Sequence, residues 1–376
     1  MKNKIALASA FLAASSFSTA EIVINDFLSF EGFVDMSYSH VDGELADANE
    51  SDNSFAIDQV EISWLFDFDP VTAQIDLQYE DLPGDDTVVE QAFATYHLDN
   101  GSAITAGRYA SMLGFEAFEP TGLYQYSLAY DLQVPGFDIM LGGAMPVADG
   151  VGTVEIIPGY AQGVKYTYEA DNTFFGLSLQ DEVFDYDGDR LGGDDASSFG
   201  IEAAGSINFD NGLTYFLGGA YEDSDEAEGD SYMLNTYVTF ETGAWIFAAE
   251  LNYGESEADA FALGSLVSGN YLAGGSTMGE EEALQALLMA NFAYSEKASI
   301  TGRFSYVDHE LDGDGFGGDV ELEAFKYTLA HGYAFTDNLF LVNEISYVDG
   351  DAESSTLALD EDFESIQYAV ELIFSF

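Results

Sequence analysis

Phe363–Phe376, which reads FESIQYAVELIFSF, carries the pattern that decides the fold. From Ile366 onward, every second residue is apolar: Ile366, Tyr368, Val370, Leu372, Phe374 and Phe376. The residues between them are small or polar, apart from Ile373: Ser365, Gln367, Ala369, Glu371 and Ser375. Side chains of a β-strand point alternately to two faces, so this stretch is predicted to be a strand with one apolar and one polar face.

The same alternation recurs along the chain, for example in Leu28–His40 and in Gln59–Phe68. Turn-forming residues follow some of these stretches, as at Asp69-Pro70, Asp99-Asn100-Gly101, Asp210-Asn211-Gly212 and Thr242-Gly243. Longer segments that are mostly acidic or rich in glycine follow the others, near 41–54, 81–87, 110–160, 184–197, 223–230, 255–280, 308–320 and 349–362. Short turns at one end and long loops at the other predict an antiparallel up-and-down β-barrel of about 16 strands. Counts of about 14 or 18 strands remain alternatives, because 137–145 in the longest loop is itself a candidate strand.

The composition excludes several classes of protein. The chain has 376 residues, with 69 acidic and 8 basic side chains, yet 15% of its residues are aromatic. A disordered acidic chain would lack these aromatic residues, and a charge of −61 would repel nucleic acid. Cysteine is absent, which excludes disulfides and thiolate metal sites. The histidines have no catalytic or metal-binding spacing and no Gly-x-Ser-x-Gly motif occurs, so we predict that the protein is not an enzyme.

The first twenty residues are predicted to be a secretory signal peptide. Lys2 and Lys4 precede an apolar stretch, Ile5–Ala14, and Ser18-Thr19-Ala20 forms a small-residue cleavage site. No later apolar run is long enough for a transmembrane helix. Residues 21–376 are therefore predicted to form one exported barrel.

A strand that ends on Phe376 resembles the closing strand of Gram-negative outer-membrane porins. In that family the terminal aromatic residue is the signal that the assembly machinery recognises. Aromatic residues also concentrate at both ends of the strands, which is typical of the two bilayer interfaces. The resemblance implies an integral protein of the Gram-negative outer membrane, in contact with its lipids and lipopolysaccharide and assembled as a homo-oligomer, a trimer.

A second resemblance concerns Gly107-Arg108-Tyr109 and the following ASMLGFEAFEPTGLYQYS. This stretch resembles the start of the inward-folding third loop of porins, and Gly114-Phe115-Glu116 resembles the putative β-barrel porin type 2 group. The resemblance implies that 110–160 narrows the pore, with Glu116 and Glu119 at the constriction and Arg108 on the facing wall. The cluster of arginines that general porins carry on that wall is missing here. The alternative is an extracellular loop packed on the rim.

The polar faces of the predicted strands form the lumen. Arg108, Lys165, Arg303 and Lys326 fall on these faces, opposite Tyr109, Tyr166, Phe304 and Phe325. The acidic residues of the same faces are more numerous and include Glu31, Asp35, Glu61, Asp67, Asp76, Glu80, Glu202, Glu250, Glu344 and Glu371. A wall lined with carboxylates favours cations.

One acidic segment has the ligand spacing of a calcium loop. Asp308, Glu310, Asp312 and Asp314 occupy alternate positions, and Asp319 closes the segment. No helices frame it, so a solvated hairpin loop is the alternative. We expect no cofactor beyond Ca²⁺ or Mg²⁺ held by such acidic extracellular loops.

Together these patterns predict a porin, a passive diffusion channel for small hydrophilic solutes and ions that prefers cations. The alternative is a structural or surface-interaction barrel with a plugged lumen and ion-binding acidic loops. Apolar residues on the polar faces could form such a plug: Phe33, Leu65, Phe216, Ile246 and Ile373.

Overall fold

The computed structural model shows an antiparallel β-sheet that closes into a barrel. It describes residues 21–45, 48–80, 87–134, 151–184, 199–224, 229–257, 261, 279–313, 319–354 and 359–376. The predicted signal peptide and the candidate strand 137–145 lie outside these residues. In the described part of the chain, no helix is long and apolar enough to cross a membrane.

The described residues form nineteen strands, and those of the main sheet follow one another around the barrel in chain order. They are β1 (Ile22–Asn25), β2 (Leu28–Leu45), β3 (Ala48–Asp67), β4 (Val71–Glu80), β5 (Val88–His97), β6 (Ser102–Ala110), β7 (Asp131–Val134), β8 (Val151–Thr153), β9 (Tyr160–Ala170), β10 (Thr173–Gln180), β11 (Phe199–Asn208), β12 (Leu213–Ser224), β13 (Gly229–Thr242), β14 (Trp245–Ser256), β15 (Gly279–Ser295), β16 (Ala298–Gly313), β17 (Val320–Thr336), β18 (Leu339–Ser354) and β19 (Leu359–Ser375). β7 and β8 form a separate two-stranded sheet, and a 3-10 turn lies at Pro120–Gly122.

The main sheet contains 17 strands, of which β1 is a four-residue segment paired with the start of β2. The other sixteen form a closed ring, because β19 pairs with β2. The predicted barrel and its preferred strand number are confirmed.

The wall is apolar outside and polar inside. In β19, Ile366, Tyr368 and Phe374 are exposed on the outer face, whereas Gln367 and Glu371 are buried on the inner face. A soluble domain buries its apolar side chains, so this inverted pattern is one that suits an exterior in hydrocarbon. The alternation of apolar and polar residues therefore predicts both that this segment is a strand and which of its side chains face the lumen.

Several predicted turns lie where the sequence places them. Gly101, Gly212 and Gly243 connect neighbouring strands with φ of +83°, +86° and +63°. A Cβ at Gly101 or Gly212 would also come within 2.4 Å of a backbone oxygen of the next strand. Gly101 and Gly212 need glycine for both reasons and Gly243 for its positive φ, which is why the turn signals could be read from the sequence.

Three segments predicted as long loops are largely strand. The pairing of β2 with β3 continues to Leu45 and Ala48, and that of β18 with β19 continues to Ser354 and Leu359. β16 likewise extends to Gly313. The predicted loops 41–54, 308–320 and 349–362 are thus too long. Their acidic composition suggested loops, but ladder hydrogen bonds join backbone groups and do not require apolar side chains.

β3 and β5 each contain a β-bulge, which changes the residues that face the lumen on either side of it. The register of β2 against β3 passes from Gln59 to Ile57, which leaves Asp58 as the extra residue. The register of β4 against β5 passes from Gln91 to Val89, which leaves Glu90 as the extra residue. A bulge changes which residues of a strand face inward.

The barrel closes at Phe376. Its backbone N–H and carbonyl each pair with Gly32 at 2.9 Å, and its ring lies 6.3 Å from Phe30 and 5.9 Å from Phe374. The terminal ring therefore covers the seam between the first and last strands of the wall.

Replacing Phe376 by alanine is expected to lower the yield of folded barrel in the outer membrane. The ring is half-buried, so its loss costs about 1–2 kcal/mol at the seam, and the proposed assembly signal is lost as well. The folded fraction can be measured by heat-modifiable migration on a gel. Phe175→Ala, an exposed aromatic on β10 away from the seam, is the control. Equal yields from both variants would contradict a special role of Phe376.

Candidate pore constriction

The chain after β6 folds into the barrel. Residues 111–134, here called the inward segment, place Leu113, Phe115, Tyr130 and Leu132 in a buried core. The same core contains inward-facing wall residues: Phe174, Ala204, Phe216, Met233, Tyr237, Leu287 and Met289. The inward segment therefore fills the part of the lumen beside β10–β17.

Arg303 on β16 holds the middle of the inward segment. Its Nη1 lies 2.6 Å from Oε1 of Glu116 and 2.7 Å from the carbonyl of Ser127. Its Nη2 donates to the carbonyl of Leu128 at 2.9 Å. The second oxygen of Glu116 accepts the backbone N–H of Ala129 at 2.7 Å. A buried ion pair is favourable only with additional hydrogen bonds of this kind.

Glu344 and Lys326 hold the next residues. Oε2 of Glu344 accepts the backbone N–H groups of Tyr126 and Ser127 at 2.8 and 3.1 Å, and Oε1 accepts the Ser127 hydroxyl at 2.6 Å. Lys326 donates to the carbonyls of Leu128, at 3.0 Å, and Asp131. Wall side chains of both signs thus satisfy backbone groups that have no partner in a regular ladder.

Glu202 and Glu250 hold the start of the inward segment. Glu202 accepts the N–H of Met112 at 2.6 Å and the hydroxyl of Ser111 at 2.7 Å. Glu250 accepts the N–H of Phe115 at 2.7 Å and the hydroxyl of Tyr130 at 3.1 Å. These carboxylates position the segment.

A second group of carboxylates lies on the opposite part of the wall, on β3, β4 and β5. Glu61, Asp76 and Glu90 are all buried, and each offers one oxygen within 4.8 Å of the others. We call these three residues the carboxylate cluster. Asp35, Asp58 and Glu371 form a neighbouring acidic group on β2, β3 and β19. Six carboxyl groups are therefore concentrated on this side of the barrel.

Glu119 brings the inward segment to the carboxylate cluster. It accepts hydrogen bonds from Nε2 of Gln59 at 2.9 Å and from the Tyr160 hydroxyl at 3.0 Å. Burial and the carboxylates of Glu61 and Glu90 raise the pKa of Glu119 well above its ordinary value. Acidic groups from the wall and from the inward segment therefore meet here.

The residues predicted at the constriction occupy different places. Glu116 lies on the Arg303 side and fastens the inward segment, whereas Glu119 lies beside the carboxylate cluster. Arg108 is buried, and its Nε donates to the carbonyl of Glu90 at 2.9 Å.

Tyr109 differs from its predicted orientation. Its hydroxyl lies 2.8 Å from Oγ of Ser178, and Nζ of Lys165 lies 4.3 Å from its ring centre, so it faces the lumen. The alternation ends at Gly107, where φ is +131° and the next two side chains are both buried. Tyr166, Phe304 and Phe325 lie on the outer face of the wall, as predicted.

Most residues predicted to line the lumen lie on the inner face. Those that are buried there are Asp35, Glu61, Asp76, Glu202, Glu250, Arg303, Lys326, Glu344 and Glu371. Glu31 and Lys165 are half-buried, and Asp67 is exposed at the turn end of β3. The side chain of Glu80 lies outside the described residues.

The residues predicted to bind calcium lie along a strand. Asp308, Glu310 and Asp312 occupy the outer side of β16, where Asp308 is half-buried and the other two are exposed. Asp319 precedes β17, and Asp314 lies outside the described residues. Alternate residues of a strand project in one direction at a spacing of about 7 Å. These three therefore do not wrap one point as a calcium loop does.

Sequence reasoning missed Asp58 and Glu90. Both are bulge residues, and a simple alternation assigns no face to them. A signal was present, because the apolar residues change from odd positions, Phe55 and Ile57, to even ones, Val60 and Ile62. Such a change of phase indicates a bulge.

Comparison with known proteins agrees with this architecture. Residues 153–376 match the family described as "Putative beta-barrel porin-2, OmpL-like", and no curated protein matches the chain. Among solved structures, the outer membrane channel DcaP of Acinetobacter baumannii has a TM-score of 0.60 at 12% identity, over 93% of this chain and 97% of its own.

Two other solved structures have the same fold. OmpT of Vibrio cholerae, in its in-vitro folded trimer form, has a TM-score of 0.54 at 11% identity, over 93% of this chain and 99% of its own. An anion-selective porin from Comamonas acidovorans has a TM-score of 0.58 at 12% identity, over 93% of this chain and 99% of its own. At such identities these matches show the fold alone.

Proposed function

This chain belongs to the putative beta-barrel porin-2, OmpL-like family and is an integral outer-membrane porin; we propose that it is a passive diffusion channel for small hydrophilic solutes and ions, with a preference for cations. The observation that carries the proposal is that the basic side chains of the lumen and the carboxylate cluster have different partners. Arg303 and Lys326 bind the inward segment, whereas Glu61 and Asp76 of the carboxylate cluster accept hydrogen bonds from neutral wall side chains, Ser63, Gln74 and Gln91.

Carboxylates that face the pore change the electrostatic energy of an ion that passes them. Carboxylates on a wall of low dielectric focus a negative potential into the water beside them, which raises the local concentration of cations. Lys165 is half-buried in the lumen, 4.3 Å from the centre of the Tyr109 ring, and its acidic neighbour is Glu202. The anion-selective relative has the same fold, so the argument for cations depends on side chains alone.

Three further properties belong to this proposal. Met1–Ala20 acts as a signal peptide for export to the outer membrane. The barrel assembles as a homotrimer in contact with lipid and lipopolysaccharide, as the trimer form of OmpT suggests. The inward segment sets the size limit of the pore, with Glu119 at its narrowest acidic point.

The proposal is tested by reconstituting the refolded barrel without its first twenty residues into planar bilayers and liposomes. We expect discrete conductance steps, together with liposome swelling that is fast for small neutral solutes and falls steeply as solute size increases. The core around Phe216 and Phe115 favours one other candidate, a barrel plugged by the inward segment. A correctly folded barrel that gives neither conductance nor swelling would support the plug.

A further inference from the structure

We propose that Glu61, Asp76 and Glu90 form a binding site for one Ca²⁺ ion inside the barrel wall. The three carboxylates come from neighbouring strands β3, β4 and β5, and each offers an oxygen within 4.8 Å of the others. Ca²⁺ binds oxygen ligands at about 2.3–2.6 Å, so two ligands on opposite sides of one ion lie about 4.6–5.2 Å apart. The spacing therefore fits calcium without movement of the strands.

Two oxygens in the cluster point to a missing partner. Glu61 and Glu90 are only 7% and 4% exposed, yet Oε2 of each has no hydrogen-bond partner among the described residues. Buried carboxylate oxygens are normally satisfied by a donor or a cation. A cation bound between the three carboxylates would satisfy both oxygens and relieve the repulsion among three like charges.

The remaining oxygens are already positioned. Ser63 donates to Oε1 of Glu61 at 2.7 Å. Gln74 donates to both oxygens of Asp76 at 3.1 and 2.8 Å, and Gln91 donates to Oδ2 at 2.7 Å. Outer hydrogen bonds of this kind orient metal ligands. The bulge at Glu90 turns this residue toward the cluster, which regular alternation would not do.

The inward segment supplies a fourth carboxylate. Glu119 lies next to Glu61 and Glu90 and is held by Gln59 and Tyr160. Ca²⁺ accepts six to eight oxygens, so Glu119 and water can complete its coordination. Arg108 also lies beside the cluster, where its Nε donates to the Glu90 carbonyl at 2.9 Å. A bound ion would tie the inward segment to the wall on the side opposite Arg303.

The test is calorimetric titration of CaCl₂ into the whole refolded barrel, again without its first twenty residues, in detergent, with NaCl and MgCl₂ present to suppress diffuse binding. Two triple variants remove equal charge. One changes the cluster, Glu61→Gln, Asp76→Asn and Glu90→Gln; the other changes the outer side of β16, Asp308→Asn, Glu310→Gln and Asp312→Asn. We expect one saturable Ca²⁺ per chain in the wild type and the β16 variant, and affinity at least tenfold weaker in the cluster variant.

Two results would overturn the site: no saturable Ca²⁺ binding to the wild type, or unchanged binding in the cluster variant. If the cluster variant does not fold, Glu90→Gln alone is titrated, and it must also weaken binding. A second readout is thermal unfolding followed by circular dichroism, in which CaCl₂ should stabilise the wild type but not the cluster variants. The measurement needs no conductance, so a barrel that conducts but does not bind calcium refutes only this inference.

Discussion

Replacing Arg303 by methionine is expected to release the inward segment from the wall and to raise the single-channel conductance, with switching between levels. The change leaves Glu116 buried without its cation and removes the donor to the carbonyls of Ser127 and Leu128. Removing one partner of a buried ion pair costs about 3–5 kcal/mol, which is more than any single hydrogen bond to a charged group, at about 1.5–3 kcal/mol. Single-channel recording in planar bilayers measures the effect.

Two other variants separate this effect from a general loss of stability. Lys297→Ala removes a cation from an exposed turn and should leave the conductance unchanged. The double variant Arg303→Met with Glu116→Gln removes both charges, so it should conduct more like the wild type than Arg303→Met alone does. An Arg303→Met channel with wild-type conductance and noise would show that the ion pair does not hold the constriction.

Neutralising the four acidic groups beside the bore is expected to lower the permeability ratio of K⁺ to Cl⁻ on the order of tenfold. The variant carries Glu61→Gln, Asp76→Asn, Glu90→Gln and Glu119→Gln. At about 8 Å in water, one carboxylate changes the energy of a passing ion by about 0.5 kcal/mol, and salt screening roughly halves this value. At a pH high enough to ionise all four groups, including Glu119 with its raised pKa, their charges act with opposite sign on cation and anion and give about 2 kcal/mol, where each 1.4 kcal/mol is tenfold.

This ratio is obtained from the reversal potential in a KCl gradient, with EDTA present to keep the carboxylate cluster free of divalent ions. The matched control is the β16 variant with Asp308→Asn, Glu310→Gln and Asp312→Asn, whose charges lie on the outer side of the barrel. Its reversal potential should equal that of the wild type. If both variants shift equally, the potential would arise from the surface charge of the whole protein rather than from the lumen.

The strands and the directions of their faces could be predicted from the sequence, because both follow from local alternation. Ile366, Tyr368 and Phe374 are exposed and Glu371 is buried, as their positions in the pattern require. The error at Tyr109 and the omission of Glu90 have one physical origin. An unusual glycine conformation or a bulge shifts the alternation by one residue, and one residue is enough to reverse a face.

The contacts of the inward segment could not be predicted in this way. Glu344 binds Ser127, which lies 217 positions earlier in the chain, and Arg303 binds Glu116 across 187 positions. Alternation shows that Glu344 and Arg303 face inward, but it does not show what they meet there. Glu116 was placed at the constriction by the resemblance to the third loop of porins, and in the structure it fastens the segment to the wall through Arg303.

The most direct test of the central claim is the reversal potential of the wild-type channel in a KCl gradient with EDTA present. A cation-selective channel gives a potential whose sign corresponds to K⁺ moving down its gradient, and this is the result we predict. A potential of the opposite sign, as expected for an anion-selective porin, would show that the carboxylates beside Glu119 do not control permeation.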